Sequence, residues 1–388
     1  MANIAVVGAG LVGRLLALLL SQQDKHVVNQ VSLFEKNKLL SPNSTGLIAA
    51  AMVAPIAESV SASEHVMKMG LRSLTLWPEL LSCLAIEKSW WQLGTIVLAH
   101  PQDQSNLTHF KQRLKQQGDE LVGQETSSEI NAAKLARLEP ELAGKFQQGL
   151  FLPLEGQVNN QQLYLQSDAL IKDSGIHLFE HSPVEIKGNT VQQQDGRQQT
   201  FDWVIDCRGL GAKNQLLDSN ALLRGVRGEV IRVNAPQVKL SRPVRIMHPR
   251  YPIYIVPKGN DQYVIGATEI ESDSEQAITV RSALELLSAA YSVHSGFAEA
   301  EVIAIQTGLR PTLLDNEPSI TVKNQLIQVN GLYRHGYLLV PYVLEQVLLL
   351  LSALDPPLSD RWQIFSSLNN TLDHRLMSVF NTGDKVCA

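Results

Sequence analysis

Cysteine is scarce in this chain. There are three in 388 residues, Cys83, Cys207 and Cys387. Their number is odd and their spacing wide, which argues against a disulfide framework or a cysteine metal clip and fits a reducing cytoplasm. No metal site is expected. Basic runs are missing too, and the net charge is −5. A nucleic-acid surface needs clustered Lys and Arg, so nucleic acid is not an expected partner. No stretch reads as the ~18 apolar residues that a membrane span needs. "YLLVPYVLEQVLLLLSAL" comes nearest, and Pro341, Glu345 and Gln346 interrupt it. The apolar N-terminus lacks the basic region of a signal peptide and reads as mature structure. No internal repeat or low-complexity linker is visible. What the chain does have is 44% apolar residues against 18% charged. That is enough for a large core, and at about 100–200 residues per domain the length implies two or three domains.

"NIAVVGAG" opens with a β-branched, uniformly apolar run, as in a strand covered on both faces. Gly8, Gly10 and Gly13 follow in G-x-G-x-x-G spacing. Then come helix formers, "LVGRLLALLLSQQ", and a second strand, "VNQVSLFEK", that ends at Glu35. Each part has a physical task in holding a dinucleotide. Gly8 makes the tight turn. Gly10 lets the backbone approach a pyrophosphate, and Gly13 lets helix and strand pack closely. The helix N-terminus attracts the phosphates. Glu35 can accept hydrogen bonds from ribose hydroxyls and would repel the extra phosphate of NADP. It does not separate FAD from NAD.

Later segments narrow the choice. "SPNSTGLIAAAMVAPIAE" (41–58) is rich in small residues, which let a backbone lie against a flat ligand. "FDWVIDCRGLGAK" (201–213) reads as another strand of the first sheet. "YIVPKGNDQYVIGATE" (254–269) reads as a hairpin turning at Lys258–Asp261. "NGLYRHGYLLVPYVLEQVLLLL" (330–351) is a turn leading into a helix, with Pro341 suited to the first helical position. Together with "GLFLPLEGQVNNQQL", "RGEVIRV" and "GLRPTLLDNEPSI", this ordered set resembles the D-amino-acid oxidase superfamily of FAD enzymes. Within it the glycine oxidase and sarcosine oxidase-like branch is nearest. The resemblance covers roughly residues 3–355. The pair GLRP and RHGxLLxP, after an IGAT hairpin, is its most specific part.

The resemblance implies an α/β plus α+β fold. A discontinuous Rossmann-like FAD-binding domain takes residues 1–80, 145–222 and 306–362. A substrate domain on a mixed, mainly antiparallel sheet takes 81–144 and 223–305. Residues 363–388 form a tail of unknown role. By the same resemblance, Gly8, Gly10, Leu11 and Gly13 hold the pyrophosphate and Glu35 the ribose. Ser44, Thr45, Ala51 and Met52 line the central cofactor and ring edge. Val184 contacts the adenine side through its backbone. Cys207 and Gly209 pass close to the cofactor, Cys207 as a small buried spacer. The turn carrying Arg334, His335, Gly336, Tyr337 and Leu338 faces the flavin. Relatives with covalent flavin use a cysteine in the C-terminal part of the FAD domain, and none lies between Cys207 and Cys387, so non-covalent FAD is expected.

For the chemistry, the resemblance points to Arg310, Tyr254, Glu269 and His335. Arg310 would grip a substrate carboxylate, with the Tyr254 hydroxyl on the same group; alternatively it pairs with Asp315 or Glu317 to hold its own loop. Pro311 would stiffen the turn. Glu269 stands where an apolar residue can wall the pocket, and it either points in or turns away to an Arg or Lys. His335 is expected to act structurally or electrostatically. Trp77, Trp90 and Trp91 are expected to pack the domain junction. Two functions compete. In the first, FAD takes hydride from the α-carbon of a small amine or amino acid, and O2 reoxidises it to H2O2. In the second, the same fold modifies a macromolecule, either tRNA or a partner protein with a peptide-derived quinone. An NAD-dependent dehydrogenase is disfavoured by the lack of a second glycine fingerprint.

Overall fold

A computed structural model describes residues 1–116, 126–248, 252–355 and 371–379. Cys387 and the last stretch of the tail lie outside these residues.

The β-branched run at the N-terminus forms the strand Ala2–Val7 in the interior of a seven-stranded sheet. Val28–Phe34 flanks it on one side and Trp203–Asp206 on the other, both parallel. Leu326–Asn330 continues the parallel order beyond Trp203–Asp206, and His177–Phe179 closes the other edge. A parallel sheet is covered on both faces, which is why its strands are apolar on both sides. On one face lie the helices Leu11–Ser21, Glu64–Cys83, Asn160–Asp173 and Gly336–Leu354, which share a core with the strands. On the other lies a three-stranded meander, whose Ile186 and Val191 pack with Ala5, Val7 and Val204.

The second sheet has nine strands and is mainly antiparallel; the parallel pair is Val244–Ile246 with Thr95–Leu98. Arg224–Asn234 is one of its two long strands, paired with Gln262–Gly266 on one side and Glu301–Thr312 on the other. The mixed α/β architecture read from the sequence is therefore present. The boundary placed at residue 306 falls inside the strand Glu301–Thr312, and the strand Gln148–Leu152, assigned above to the cofactor domain, pairs with Thr95–Leu98 in this second sheet. A small sheet of Met52–Val53, Gly156–Val158 and Trp90–Trp91 lies between the two larger ones in sequence.

Pro311 does not make a turn. It sits within the strand Glu301–Thr312, opposite Gly225. Glu301–Thr312 pairs with one strand alone, so it is an edge strand, where a proline needs no ladder donor. Pro341 does not start its helix either, because Gly336–Leu354 already contains it. Proline leaves the carbonyl four residues earlier without its helical donor. That carbonyl belongs to Tyr337, and the Trp77 indole donates to it at 2.8 Å. Trp77 is fully buried and stacks on Trp90 and Tyr337, within the core shared by the first sheet and its helices.

The same segment corrects the reading of hydrophobic runs. Residues Tyr333–Leu354 are long and apolar enough to cross a membrane by length and composition, yet 72% of the most apolar window is buried inside the fold. Glu345 is buried within it and pairs with Arg72 at 2.6 Å. Part of the tail is also ordered. Met377–Val379 adds a parallel strand beside Ser319–Lys323. Just before it, Asp373 accepts from the Tyr342 hydroxyl at 2.9 Å and contacts His65 Nε2 at 2.7 Å, while His65 Nδ1 lies 3.0 Å from Glu317.

Candidate functional site

The glycine fingerprint forms a cradle. Gly8 has φ +95, a left-handed angle that favours glycine, and a methyl at Gly13 would collide with the Gly8 carbonyl oxygen. Gly10 differs. Its angles are ordinary, and a methyl there would meet nothing within 4 Å. It opens the helix that starts at Leu11 with no side-chain cap, so the first-turn amides face open space. Glu35 sits beside them, its Oε2 accepting from the Ala9 amide at 2.8 Å and its Oε1 from the Asn37 amide. Each oxygen keeps a lone pair for a further donor.

The segment Ser44–Met52 runs from this cradle toward the second sheet. Ser44 Oγ lies 3.1 Å from the Tyr164 hydroxyl, and the Thr45 hydroxyl donates to the Leu309 carbonyl. Ala51 is held at φ +55, an unusual angle for alanine, before the strand at Met52. Tyr337 donates its hydroxyl to the Gly46 carbonyl, and Leu338 is buried against Gly70. Cys207 follows the central strand Trp203–Asp206; burial and then the Asp206 charge push its thiol pKa up, which disfavours the reactive thiolate. Gly209, at φ +56, offers its carbonyl to Asn330, and the Val184 carbonyl takes a long contact of 3.4 Å from Arg208. These positions fit a dinucleotide. The uncapped helix, the open Gly10 and the amides of Ala50 and Ala51, which have no acceptor among the described residues, are features that a bound FAD could occupy.

At the far end of the segment the second sheet supplies a polar cluster. Arg310 extends along the face of Gly228, where any Cβ would collide with the guanidinium. It donates to the carbonyls of Arg227 at 3.3 Å and Thr268 at 3.2 Å. Among the described residues it has no carboxylate partner. Asp315 instead caps the Glu317 amide, and Glu317 is held by His65, so the loop-pairing alternative for Arg310 is not realised. Tyr254 stands opposite Gly266, half-buried; burial raises its pKa while the charges of Arg310 and Arg245 pull the other way.

Glu269 turns toward the turn at residues 333–335. It accepts from the Tyr333 hydroxyl at 2.5 Å and from Arg334 at 2.9 Å. Burial alone would raise its carboxyl, but Arg334, Tyr333 and Arg310 outweigh that and hold it below the usual range. Arg334 also lies 3.0 Å from Glu58 and donates to Ser61. Glu58 is bound by Arg245 at 2.5 Å as well. Burial opposes its ionisation, but the two arginines win and hold it well below the carboxylate range. The charge of Arg334 is thus matched by two carboxylates, while that of Arg310 is not. A cleft of about 190 Å³ opens beside them, lined by Ser61, Ser63, Glu269, Glu317, Tyr333 and Arg334.

His335 is buried, 3.6 Å from Glu58, and burial lowers its pKa to about 4. It is neutral at neutral pH and a weak base, which fits the structural role. The sign of its effect on stability follows. Unfolded, the imidazole takes a proton near 6.5; folded, it resists to about 4. The unfolded state therefore binds more protons in that window, and stability falls as pH drops from 6.5 toward 4. Glu58 acts in the same direction lower in the range. Thermal melting of His335→Asn across this window is expected to show a shallower pH dependence than the parent; an identical slope would place the titration elsewhere.

Sequence reasoning missed Glu58, Tyr333 and Arg245. Glu58 closes the small-residue segment 41–58, and Tyr333 precedes the RHG turn, so proximity to those motifs was a usable signal. Nothing local marked Arg245, whose partner is 187 residues away.

Comparison with known proteins agrees with this geometry. A family model described as DAO, FAD dependent oxidoreductase, matches residues 3–344. A relative from Rhizobium etli, named as a thiamine biosynthesis oxidoreductase, ThiO, is 36% identical over 345 residues, covering 89% of this chain and 95% of its own. A glycine oxidase of Geobacillus kaustophilus is 26% identical over 87% of this chain and 90% of its own. Its fold is shared: the crystal structure of glycine oxidase from that organism superposes with a TM-score of 0.73 at 24% identity, over 89% of this chain and 93% of that one. An iminodiacetate oxidase from Chelativorans sp. BNC1 has the same fold, with a TM-score of 0.74 at 21% identity over 89% of this chain and 94% of that one.

Proposed function

Since the chain belongs to the family of FAD-dependent oxidoreductases, we propose that it oxidises the C–N bond of a small amino acid, with glycine or an N-alkyl glycine such as sarcosine favoured. FAD, when bound, accepts the hydride and passes the electrons to O2, giving H2O2. The residues that would hold it are Gly8, Gly10, Leu11, Gly13 and Glu35 at the dinucleotide end and Ser44–Met52 along its length. We take it to be held non-covalently. The free thiols Cys83 and Cys207 support a reducing compartment.

One observation carries the reading of the substrate. Arg310 is a fixed guanidinium at the site with carbonyl partners alone. Its planar fork can give two parallel hydrogen bonds to a carboxylate. The Thr268 carbonyl that steadies it is itself held, because the Thr268 hydroxyl donates to buried Glu229 at 3.0 Å. Tyr254 lies within the field of Arg310 and can donate to the same carboxylate. Arg334, already matched by Glu58 and Glu269, does not compete for it. Nothing at the site calls for a strong base, since the amine has only to arrive uncharged. The competing reading, modification of a tRNA or partner protein, gains no support from relatives named as a thiamine biosynthesis oxidoreductase and a glycine oxidase.

The test is peroxide release by the purified yellow protein with a panel of free amines and amino acids. Turnover of glycine or sarcosine is expected. No turnover of any free amine, with FAD bound, would sink the reading.

A further inference from the structure

The carbonyls of residues 46–50 are held by three buried side chains. Asn160 donates to those of Gly46, Leu47 and Ala49 at 2.7–3.1 Å. Arg232 reaches Leu47 at 2.7 Å, with longer contacts to Ile48 and Ala49. Lys258 donates to Ala50 at 2.5 Å, and to Gln157 and the Val158 carbonyl at 3.2 and 2.9 Å. All three side chains are buried. A trans peptide points its N–H opposite to its C=O. Fixing the Ala49 carbonyl therefore aims the Ala50 amide the other way, and fixing the Ala50 carbonyl does the same for the Ala51 amide. Among the described residues, neither amide donates to another group.

Charge adds a second observation. Among the described residues neither Arg232 nor Lys258 has a carboxylate partner. Three oxygen acceptors around Lys258 match the three N–H of its charged form. Burial, and after it the neighbouring charge of Arg232, push its pKa well down, since two like charges share a buried site. An arrangement of this kind persists when something else compensates it, and the segment it holds is the one assigned to the flavin.

We propose that Lys258 and Arg232 are positioning residues for the flavin: they aim the Ala50 and Ala51 amides at its ring, and their buried positive charge raises its affinity for electrons. This rests on the reading that FAD lies along Ser44–Met52. The sequence gives no hint of it, because Lys258 reads as the start of a hairpin turn and Arg232 as an ordinary strand residue.

The probe is sulfite, which adds to oxidised flavin and leaves the ring anionic, titrated against FAD-loaded protein together with a dye-equilibrated reduction potential. Lys258→Met is expected to weaken sulfite binding by about tenfold or more and to lower the potential, as loss of one nearby buried charge implies. Arg232→Gln shares its acceptors with Asn160, so it keeps the segment tied, and it is expected to move both readouts the same way. Lys239→Met, at an exposed lysine paired with Asp261, should move neither. Either buried variant, loaded with FAD and showing parental sulfite affinity and potential, overturns the proposal; if Lys258→Met does not load, Arg232→Gln decides. A parent protein without FAD would give no signal, and that outcome overturns the cofactor reading along with it.

Discussion

Arg310→Ala is expected to lower kcat/KM for an amino acid by about two orders of magnitude or more, since each charge-assisted hydrogen bond to a carboxylate contributes roughly 1.5–3 kcal/mol. FAD content and folding should stay as in the parent. The guanidinium is held by two backbone carbonyls and lies over Gly228, so removing it opens space without breaking an ion pair. Arg310→Lys should recover part of the loss, because a point charge attracts a carboxylate but does not orient it. The loss should be much smaller for an amine that carries no carboxylate. An alanine variant with full activity on a free amino acid would remove Arg310 from the site. One that lost FAD would make it a structural residue.

Gly10→Val should give a folded, colourless protein. The backbone at Gly10 has ordinary angles, and the added Cβ meets no protein atom within 4 Å. The side chain would instead stand where a pyrophosphate must approach the helix N-terminus. Gly13→Val is the contrast. Its Cβ would collide with a backbone oxygen of the preceding turn, which has no freedom to move aside, so it should fail to fold. Circular dichroism and the flavin released on denaturation separate the two. Gly10→Val protein with parental FAD content would show that the cofactor does not pass this point.

The parts of this fold that were legible in the sequence are those written in short-range pattern. Gly8, Gly10, Gly13 and Glu35 fall within one strand-turn-helix-strand unit, and the apolar run before them announces a strand covered on both faces. The hairpin at 254–269 is likewise local. Pro341 was misplaced because its tolerance depends on Trp77, which is 260 residues from the carbonyl it serves. Pro311 was taken for a turn because an edge strand cannot be told from a loop without its neighbours. The site divides the same way. Arg310, Tyr254 and Glu269 stand in motifs and Glu58 closes one, whereas the ion pairs that fix Glu58 come from Arg245 and Arg334, on a distant strand and turn. The cationic support beneath residues 46–50 was unreadable for the same reason: it consists of contacts between Arg232, Lys258 and a backbone about 185–208 residues away.

His65 bears on the far end of the chain. Its ring meets Glu317 and Asp373, 252 and 308 residues away in sequence. Burial opposes the charged ring, but hydrogen bonds to the two carboxylates win and raise its pKa. A histidine stabilised in this way contributes fully below its ordinary pKa of 6.5 and is lost as pH rises through the higher folded value. Closing a loop costs entropy that grows slowly with its length, so a tie between such remote points limits the freedom of the intervening chain much as a covalent bridge would. The proton on His65 thus helps to tie the segment just before Met377–Val379 to Glu317, and that contribution declines as pH rises through the raised folded pKa, without any change in redox state.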